Sequence, residues 1–198
     1  MFMMKCGRTV YHPLPHLGEI HGIKENGDTL FHTIDNFEFT DQLNRKVTNK
    51  NFEGCIYVAN YFFTTCTSIC PRMNANLQRV YDRYKDNPKV KFISHTVDPD
   101  HDTPEALLQY SNNLNADPNK WYFVTGVKDS LYTIASRSYL IRAGEGDSKP
   151  VSFGHDNNLT LVDQNRYIRA TVDGLAPEKM DELIDAIQLL LTEMKNQK

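Results

Sequence analysis

The chain has 198 residues, 40% hydrophobic residues and a net charge of −3, a composition typical of one globular domain of ordinary size. It has no block of basic residues, so we expect no nucleic-acid partner. No run approaches the ~18 apolar residues of a membrane span, and the start of the chain is too short for the ~7–15-residue apolar region of a signal peptide. We therefore expect either a cytosolic protein or a mature, trimmed form whose membrane anchor is missing or external.

The first part of the chain predicts an arm followed by peripheral strands. Residues 1–28 are rich in Gly, His and Pro and show no periodicity, so we expect an N-terminal arm before a single domain over 29–198. Residues 31–39 alternate between two faces, which predicts an edge strand. The polar stretch 41–53 predicts a short hairpin.

From residue 55 onwards, strand patterns alternate with helical patterns. We predict strands at 55–63, 90–97 and 121–124, helices at 71–86, 104–114 and 129–140, a hairpin of 159–162 with 167–172, and a last helix from 177. This order indicates an α/β fold with a parallel sheet and an antiparallel edge. The long loop 144–154 is typical of loops that serve a site.

Two cysteines mark the candidate site. Cys66 and Cys70 lie at the turn between the first predicted strand of this series and its helix, whereas Cys6 lies in the arm and Cys55 is expected to be a small core residue. A helix N-terminus stabilises thiolates, the form that attacks disulfides and binds soft metals. The pair by itself is compatible with packed thiols or a structural disulfide, a metal site, or a redox pair.

A distant histidine favours a metal. His155 can add an imidazole to the two thiolates, a set that suits Cu(I) and tolerates Cu(II), although the residues alone are explained as well by an exposed loop histidine. Structural zinc usually takes four ligands, and the sequence offers no convincing fourth. Asp98 follows the next strand, so it is expected beside the cysteines, where it orients a ligand or carries a proton; otherwise it only makes a turn. Asp102 is expected to cap the following helix.

The remaining histidines have simpler interpretations. His12, His16 and His21 offer a weak secondary metal site, although a solvated tail explains them more simply. His95 lies within a predicted strand and is expected to be a core residue with its hydrogen bonds satisfied. His101 is expected to be an exposed turn residue. Either of the last two could lie near the candidate site.

Four motifs occur in a specific order. They are Cys66-x-x-x-Cys70-Pro71, Val97-Asp98-Pro99-x-x-Asp102-Thr103, Trp121-x-x-x-Thr125-Gly126, and His155 before Leu159-x-Leu161-Val162-Asp163. Over residues 30–195 this combination resembles the SCO1/SenC (Sco) family of copper proteins. The resemblance implies a thioredoxin-like fold with an N-terminal extension. It also implies copper bound by Cys66, Cys70 and His155, maturation of the CuA centre of cytochrome c oxidase, and attachment to the non-cytoplasmic side of a membrane.

Three positions depart from the family pattern. The cysteines enclose Thr67-Ser68-Ile69, where many members have Pro-Asp-Val and thus a local acid. Asp156 stands where Ser or Thr is common, and Asn165 stands where Gly is common. None of these changes removes a ligand. We expect them to affect copper affinity and redox potential more than the class of activity.

Together with the cysteine pair, this resemblance implies a copper chaperone, not primarily a turnover enzyme, whose partner is the oxidase subunit carrying the CuA site or another copper acceptor. The alternative is a thiol–disulfide reductase that acts on partner cysteines, with Cys66 or Cys70 as nucleophile. Thioredoxin-like reductases place a proline just before the final hairpin, and residues 153–156 contain none. A peroxide-reducing thiol enzyme would need a cationic neighbour, and Arg72 is the adjacent candidate.

Overall fold

The structure, a computed structural model, describes residues 13–141 and 157–196. In these two ranges no helix combines the length and the apolar character that crossing a membrane requires. The described chain begins with a short antiparallel hairpin of β1 (Ile20–Ile23) and β2 (Thr29–Phe31), separate from the main sheet. Its pairing is interrupted by a bulge between Ile20 and Gly22.

A seven-stranded mixed sheet forms the centre of the molecule. Its strands are β3 (Glu38–Asp41), β4 (Lys46–Thr48), β5 (Ile56–Phe62), β6 (Val90–Thr96), β7 (Trp121–Thr125), β8 (Asn158–Val162) and β9 (Ile168–Asp173). They lie in the order β4-β3-β7-β6-β5-β8-β9. The neighbours β5, β6 and β7 are parallel, and the flanking pairs are antiparallel. This arrangement confirms the predicted parallel core with antiparallel additions.

Helices cover both faces of the sheet. They are α1 (Ile69–Tyr84), α2 (Pro104–Asn113), α3 (Lys128–Thr133), which continues as a π-helical segment (Ile134–Ser138), and α4 (Lys179–Asn196), with a 3-10 turn at Asn49–Phe52. The helices α1, α2 and α4 pack on one face, and α3 with the 3-10 turn packs on the other. The predicted apolar face of α1 is buried: Met73, Leu77, Val80, Tyr81 and Tyr84. Burial of this face against the sheet explains why the helical periodicity is clear in the sequence.

The ends of β5 and β6 lie side by side and position the candidate site. Phe62 pairs with Thr96 in the parallel ladder, and the next backbone N–H, that of Val97, donates to the carbonyl of Phe62 at 2.9 Å. The chain leaves β5 towards the cysteines and leaves β6 towards Asp98. Both segments therefore start at the same edge of the sheet, as the α/β pattern predicts.

The predicted strand over 31–39 is wrong. The chain leaves the hairpin at the end of β2 and joins the main sheet only at β3. Between them, the side chain of Asn49 accepts from the N–H of Phe37 at 2.8 Å and donates to the carbonyl of Asp35 at 3.0 Å. This backbone bonds to a side chain instead of a neighbouring strand, so its alternating burial comes from packing and not from a ladder.

The described part of the predicted arm, residues 13–28, packs on the domain. The buried guanidinium of Arg169 in β9 donates to the carbonyls of Leu14 at 2.6 Å and Pro15 at 3.1 Å. Leu17 forms an isolated bridge with β9. The β1–β2 hairpin spans the expected division after residue 28, and that division stays a prediction.

Candidate metal and thiol site

The two cysteines contact each other at the start of α1. Cys66 is partly exposed in the loop after β5, Cys70 is buried in the first helical turn, and both are free thiols. The sulfur of Cys66 accepts a hydrogen bond from the backbone N–H of Cys70 at 3.3 Å. Ser68, the residue before the helix, makes no capping bond with its side chain. The Cys66 sulfur therefore takes the place of the usual capping oxygen.

This contact makes the two thiols chemically different. Burial alone would raise the pKa of Cys66, but hydrogen bonds from the backbone N–H and the thiol of Cys70, and from the backbone of Ser68 and Ile69, lower it to about 7. Burial raises the pKa of Cys70 to about 12, and its hydrogen bond to Cys66 adds to that rise. The expectation that the helix end favours both thiolates is thus confirmed for Cys66 and wrong for Cys70, where burial dominates.

Asp102 acts as a brace for the loop that carries the cysteines: its carboxylate holds the start of that loop by hydrogen bonds. It is fully buried, and its carboxylate accepts from the N–H of Thr64 at 3.2 Å and from the hydroxyls of Thr64 and Thr96. The expectation that Asp102 caps α2 is wrong, because the cap is Thr103, whose hydroxyl accepts from the N–H of Ala106 at 3.3 Å. The carboxylate instead joins the segment after β5 to the end of β6, where three donors converge on it.

Asp98 pairs with a histidine. Its carboxylate lies 2.9 Å from Nδ1 of His101, which is exposed as predicted. This hydrogen bond raises the pKa of His101. Among the contacts described for residues 13–141 and 157–196, none joins the Asp98 carboxylate to either cysteine. A role for Asp98 in orienting a ligand or carrying a proton therefore stays a prediction.

A buried chain of side-chain hydrogen bonds runs from the sheet to α2. The indole N–H of Trp121 donates to Ser94 at 2.8 Å, and the Ser94 hydroxyl donates to Oδ1 of Asn60 at 2.6 Å. The amide of Asn60 donates to Oδ1 of Asn74 at 3.2 Å. The amide of Asn74 then donates to the hydroxyl oxygen of Tyr110 at 2.7 Å. This series of hydrogen bonds thus links β7, β6, β5, α1 and α2 on the face of the sheet that carries the cysteines.

The last two members of this chain lie beside the thiols. Asn74 is one helical turn after Cys70 in α1. Burial raises the pKa of Tyr110 to about 12, and negative charge on Cys70 and Cys66 adds to the rise. The sequence patterns did not predict this series of hydrogen bonds. Its signal is visible in retrospect as two asparagines, Asn60 and Asn74, at positions that the strand and helix patterns assign to the core.

The third proposed ligand, His155, lies outside the described residues, as does the long loop 144–154. Within the described ranges no group of three or more His, Cys, Asp or Glu side chains is arranged to hold a metal ion. The two sulfurs nevertheless suit a soft metal, since they lie in one turn and are joined by hydrogen bonds.

His95 is buried, as predicted, but its hydrogen bonds are not satisfied. Its ring stacks on Tyr61 at a centroid distance of 5.0 Å and meets Phe39 edge-on at 5.6 Å. Neither ring nitrogen has a hydrogen-bond partner among the described residues. Burial lowers the pKa of His95 to about 3, so the ring is neutral at physiological pH. It lies on the face of the sheet opposite the cysteines.

The N-terminal histidines are not all in a solvated tail. His16 stacks on Phe31 at a centroid distance of 4.2 Å and meets Tyr167 edge-on at 4.8 Å, so the expectation of a solvated residue is wrong there. His21 lies beside His32. His12 lies outside the described residues. Stacking on the hairpin, which the sequence pattern did not predict, is what holds His16.

The chain is similar in sequence and in structure to several known proteins. A SCO1 protein homolog of Bacillus subtilis (strain 168) is 26% identical over 165 residues, which are 81% of this chain and 84% of that protein. A SCO1/SenC family lipoprotein from Bacillus anthracis superposes with a TM-score of 0.71 at 25% identity, covering 81% of this chain and 95% of that one. ScoI of Bradyrhizobium japonicum, solved with copper bound, superposes with a TM-score of 0.63 at 23% identity, covering 80% and 99%.

These similarities confirm the thioredoxin-like α/β fold. BsSco, another solved relative at 25% identity, is a member of the Sco family of cytochrome c oxidase assembly proteins and has a disulfide switch. The SCO1/SenC family model matches residues 26–192 of this sequence, which is most of its length. The chain therefore belongs to the SCO1/SenC family.

Proposed function

We propose that this protein carries one copper ion, as cargo, on Cys66, Cys70 and His155, and delivers it to, or prepares, the CuA site of cytochrome c oxidase. Membership of the SCO1/SenC family supports this proposal. The observation that carries it is the contact between the sulfur of Cys66 and the N–H of Cys70, because it holds two thiols of one turn towards each other. Thiolates with one imidazole suit Cu(I) and tolerate Cu(II).

The protonation of the pair bears on how copper would bind. Burial keeps Cys70 protonated at neutral pH, whereas Cys66 is close to half ionised. A metal needs both sulfurs as thiolates, so binding would displace the thiol proton of Cys70. The positive charge of the ion would then offset the cost of a buried thiolate.

Handover would proceed by ligand exchange. Cys66 is the more exposed of the two sulfurs and belongs to a loop, whereas Cys70 is buried in a helix. A thiolate or imidazole of the acceptor would therefore replace Cys66 before Cys70. With each step one ligand leaves as another arrives, so the ion is never without donors.

The proposed partner is the oxidase subunit that carries the CuA site, or another copper acceptor. The Sco family's role in cytochrome c oxidase assembly supports this choice. We propose that the protein works on the non-cytoplasmic side of a membrane. The Bacillus anthracis relative, a lipoprotein, supports such a location.

A second candidate is thiol–disulfide reduction of the partner's cysteines, which the asymmetry of the thiols favours. The Cys66 thiolate would attack a partner disulfide and form a mixed disulfide, releasing one partner thiol. Cys70, on losing its proton, would attack Cys66 and release the second. The partner is then reduced by two electrons, and this chain ends with a Cys66–Cys70 disulfide. The disulfide switch of BsSco supports this candidate.

A peroxide-reducing thiol enzyme has less support. That chemistry requires a thiolate activated by a nearby cation. Arg72 is exposed on α1, and it is not among the groups that shift the pKa of Cys66 or Cys70. The low pKa of Cys66 comes from hydrogen bonds at the helix start, which serve copper binding or disulfide exchange equally well.

Metal analysis tests the copper site directly. The reduced protein would be titrated anaerobically with Cu(I) and with Cu(II), dialysed against a weak chelator, and assayed for copper per chain. We expect near-equimolar copper in the native protein and loss of tight binding in Cys66→Ser/Cys70→Ser. His155→Ala should weaken binding by more than ~10–100-fold, the usual effect of changing a residue that only supports a ligand. Tight Cu(I) binding in the double cysteine variant would refute the proposal, because Cu(I) selects the thiolates.

A reconstituted assay separates delivery from reduction. His155→Ala should abolish copper transfer to a CuA-type acceptor but leave reduction of the acceptor's disulfide largely intact, because disulfide attack needs a thiolate and access but no third metal ligand. If the copper-loaded native protein reduces the acceptor efficiently and never transfers copper, the reductase is the better assignment.

A further inference from the structure

The β1–β2 hairpin brings together two histidines that the proposed function does not use. Nε2 of His21 lies 3.4 Å from Nδ1 of His32, and the ring centroids are 5.6 Å apart. His32 is buried, with 8% of its surface exposed, whereas His21 is exposed at the edge of the hairpin. The pair is therefore open to solvent on one side and anchored in the protein on the other.

The hydrogen bond on the far side of His32 fixes its tautomer. Nε2 of His32 lies 2.7 Å from the carbonyl oxygen of Ser138, which can only accept. Nε2 therefore carries the ring proton, and Nδ1 presents its lone pair to His21. A histidine that binds a metal usually donates its other N–H to a carbonyl or carboxylate in this way.

The backbone around the pair holds both rings in place. The bulge between Ile20 and Gly22 interrupts the ladder at His21, and such bulges re-aim a side chain. Gly18, with a φ of +105°, packs against His32, and a Cβ there would lie 2.7 Å from Cβ of His32. The neighbouring chain can approach the His32 ring this closely only with glycine at that position.

We propose that Nε2 of His21 and Nδ1 of His32 bind one exchangeable zinc ion, with water completing its coordination. With two protein ligands this is a weaker site than the four-ligand sites of structural zinc. Zinc–nitrogen bonds are ~2.0–2.1 Å, so nitrogens 3.4 Å apart subtend an angle of roughly 110° at the ion, which is tetrahedral. A square-planar ion with bonds of that length would need neighbouring nitrogens only ~2.9 Å apart. The spacing of the two nitrogens thus fits a tetrahedral ion.

The competing interpretation is a plain hydrogen bond from Nε2–H of His21 to Nδ1 of His32. Zinc binding would require that the proton of His21 lie on Nδ1 instead of Nε2, so that the lone pair of Nε2 is available to the ion. The site is also independent of the copper proposal, because no contact described for these two rings involves Cys66 or Cys70.

A zinc titration of Cys66→Ser/Cys70→Ser distinguishes the two interpretations, since this variant lacks the thiols that would otherwise compete for zinc. Calorimetry should give one zinc per chain. In 15N NMR spectra of the histidine rings, Nε2 of His21 and Nδ1 of His32 should shift with zinc. In the same background, His21→Ala and His32→Phe should each weaken binding by more than the ~10–100-fold typical of residues that only support a ligand.

His101→Ala is the matched control, because it removes an exposed histidine that makes no contact with the hairpin pair, and it should leave the titration unchanged. His21 is exposed, so its replacement should not affect folding. Circular dichroism would verify that the His32→Phe variant is folded, because His32 is buried. The proposal is overturned if zinc fails to bind, if His21→Ala binds it as tightly as the parent, or if the zinc-dependent shifts fall on other histidines.

Discussion

The sulfur of Cys66 accepts the backbone N–H of Cys70 at the first turn of α1, at 3.3 Å. The thiolate of Cys66 is thereby stabilised by the N–H groups of the helix start, whereas burial disfavours the thiolate of Cys70. The pKa of Cys66 falls to about 7 and that of Cys70 rises to about 12. The two cysteines of the motif are therefore not equivalent: Cys66 is the accessible thiolate, and Cys70 is the protonated partner that supports it.

This asymmetry predicts selective alkylation of the reduced, metal-free protein. Iodoacetamide should modify Cys66 first, with a rate that rises through a midpoint near pH 7 because only the thiolate reacts. Cys70 should stay unmodified up to pH 9, since burial raises its pKa far above that range. Peptide mass spectrometry over a pH series measures both rates.

Cys66→Ser is the control for this experiment. Removing the Cys66 thiolate takes away one cause of the raised pKa of Cys70, but burial, the larger cause, remains. Cys70 should therefore react somewhat faster in the variant and still need alkaline pH. Equal labelling of both cysteines of the native protein at pH 7 would contradict the asymmetry.

The buried imidazole of His95 predicts a loss of stability in acid. Its pKa is about 3 in the folded protein against 6.5 in the unfolded chain. Between these two pH values the unfolded state binds a proton that the folded state does not bind. The stabilisation is complete above pH 6.5 and declines by ~1.4 kcal/mol per pH unit as the pH falls towards 3, a loss of about 2 kcal/mol at pH 5.

His95→Phe should remove this pH dependence, because phenylalanine can occupy the aromatic surroundings without titrating. The measurement is the free energy of unfolding in urea at pH 7 and pH 5, for the variant and the native protein. His101→Ala is the control of opposite sign, since the pKa of His101 is raised by Asp98 and its charged form favours folding at low pH. Parallel pH profiles for His95→Phe and the native protein would show that His95 does not titrate in this way.

Much of the fold could be predicted from the sequence because its signals are local. The fully buried run of β5, which is apolar except for Asn60, and the one-sided pattern of α1 both reflect burial on the sheet. The position of Cys66 and Cys70 at the strand-to-helix turn follows from those two elements alone. Local order along the chain was therefore enough to locate the pair and its helix.

What the sequence did not reveal depends on partners far along the chain. Asp102 looks like a helix cap from its neighbours, yet its carboxylate bonds to Thr64, 38 residues away. Asn49 replaces a strand partner for residues 35–37, and Arg169 holds carbonyls near residue 14. Such contacts form only after the sheet has assembled, so no periodicity records them.

The role of Asp102 as a brace predicts a larger effect than the loss of a cap. Asp102→Asn keeps the size of the side chain but places an amide donor against the N–H and hydroxyl donors of Thr64 and Thr96. We expect it to lower the free energy of unfolding by roughly 2–3 kcal/mol, as for hydrogen bonds to a charged group. Thr103→Ala, which removes the actual cap, should cost about 1 kcal/mol. Urea unfolding measures both, and a larger cost for Thr103→Ala would contradict the assignment.

The chain of buried hydrogen bonds predicts energetic coupling between Asn74 and Tyr110. Tyr110→Phe removes the acceptor of the Asn74 amide and leaves a buried donor unpaired, at a cost of about 1–3 kcal/mol. Asn74→Leu should also destabilise the protein. The double variant should nevertheless lose clearly less stability than the sum of the two single variants, because leucine has no N–H donor that Tyr110→Phe could leave unpaired. Tyr84→Phe is the matched control. The hydroxyl of Tyr84 donates to the carbonyl of Ile184 and takes no part in this series of hydrogen bonds, so the cost of Tyr84→Phe should add to that of Asn74→Leu. A double-mutant cycle in urea gives both coupling energies, and additive costs for Asn74 and Tyr110 would mean that the two side chains do not share a hydrogen bond in solution.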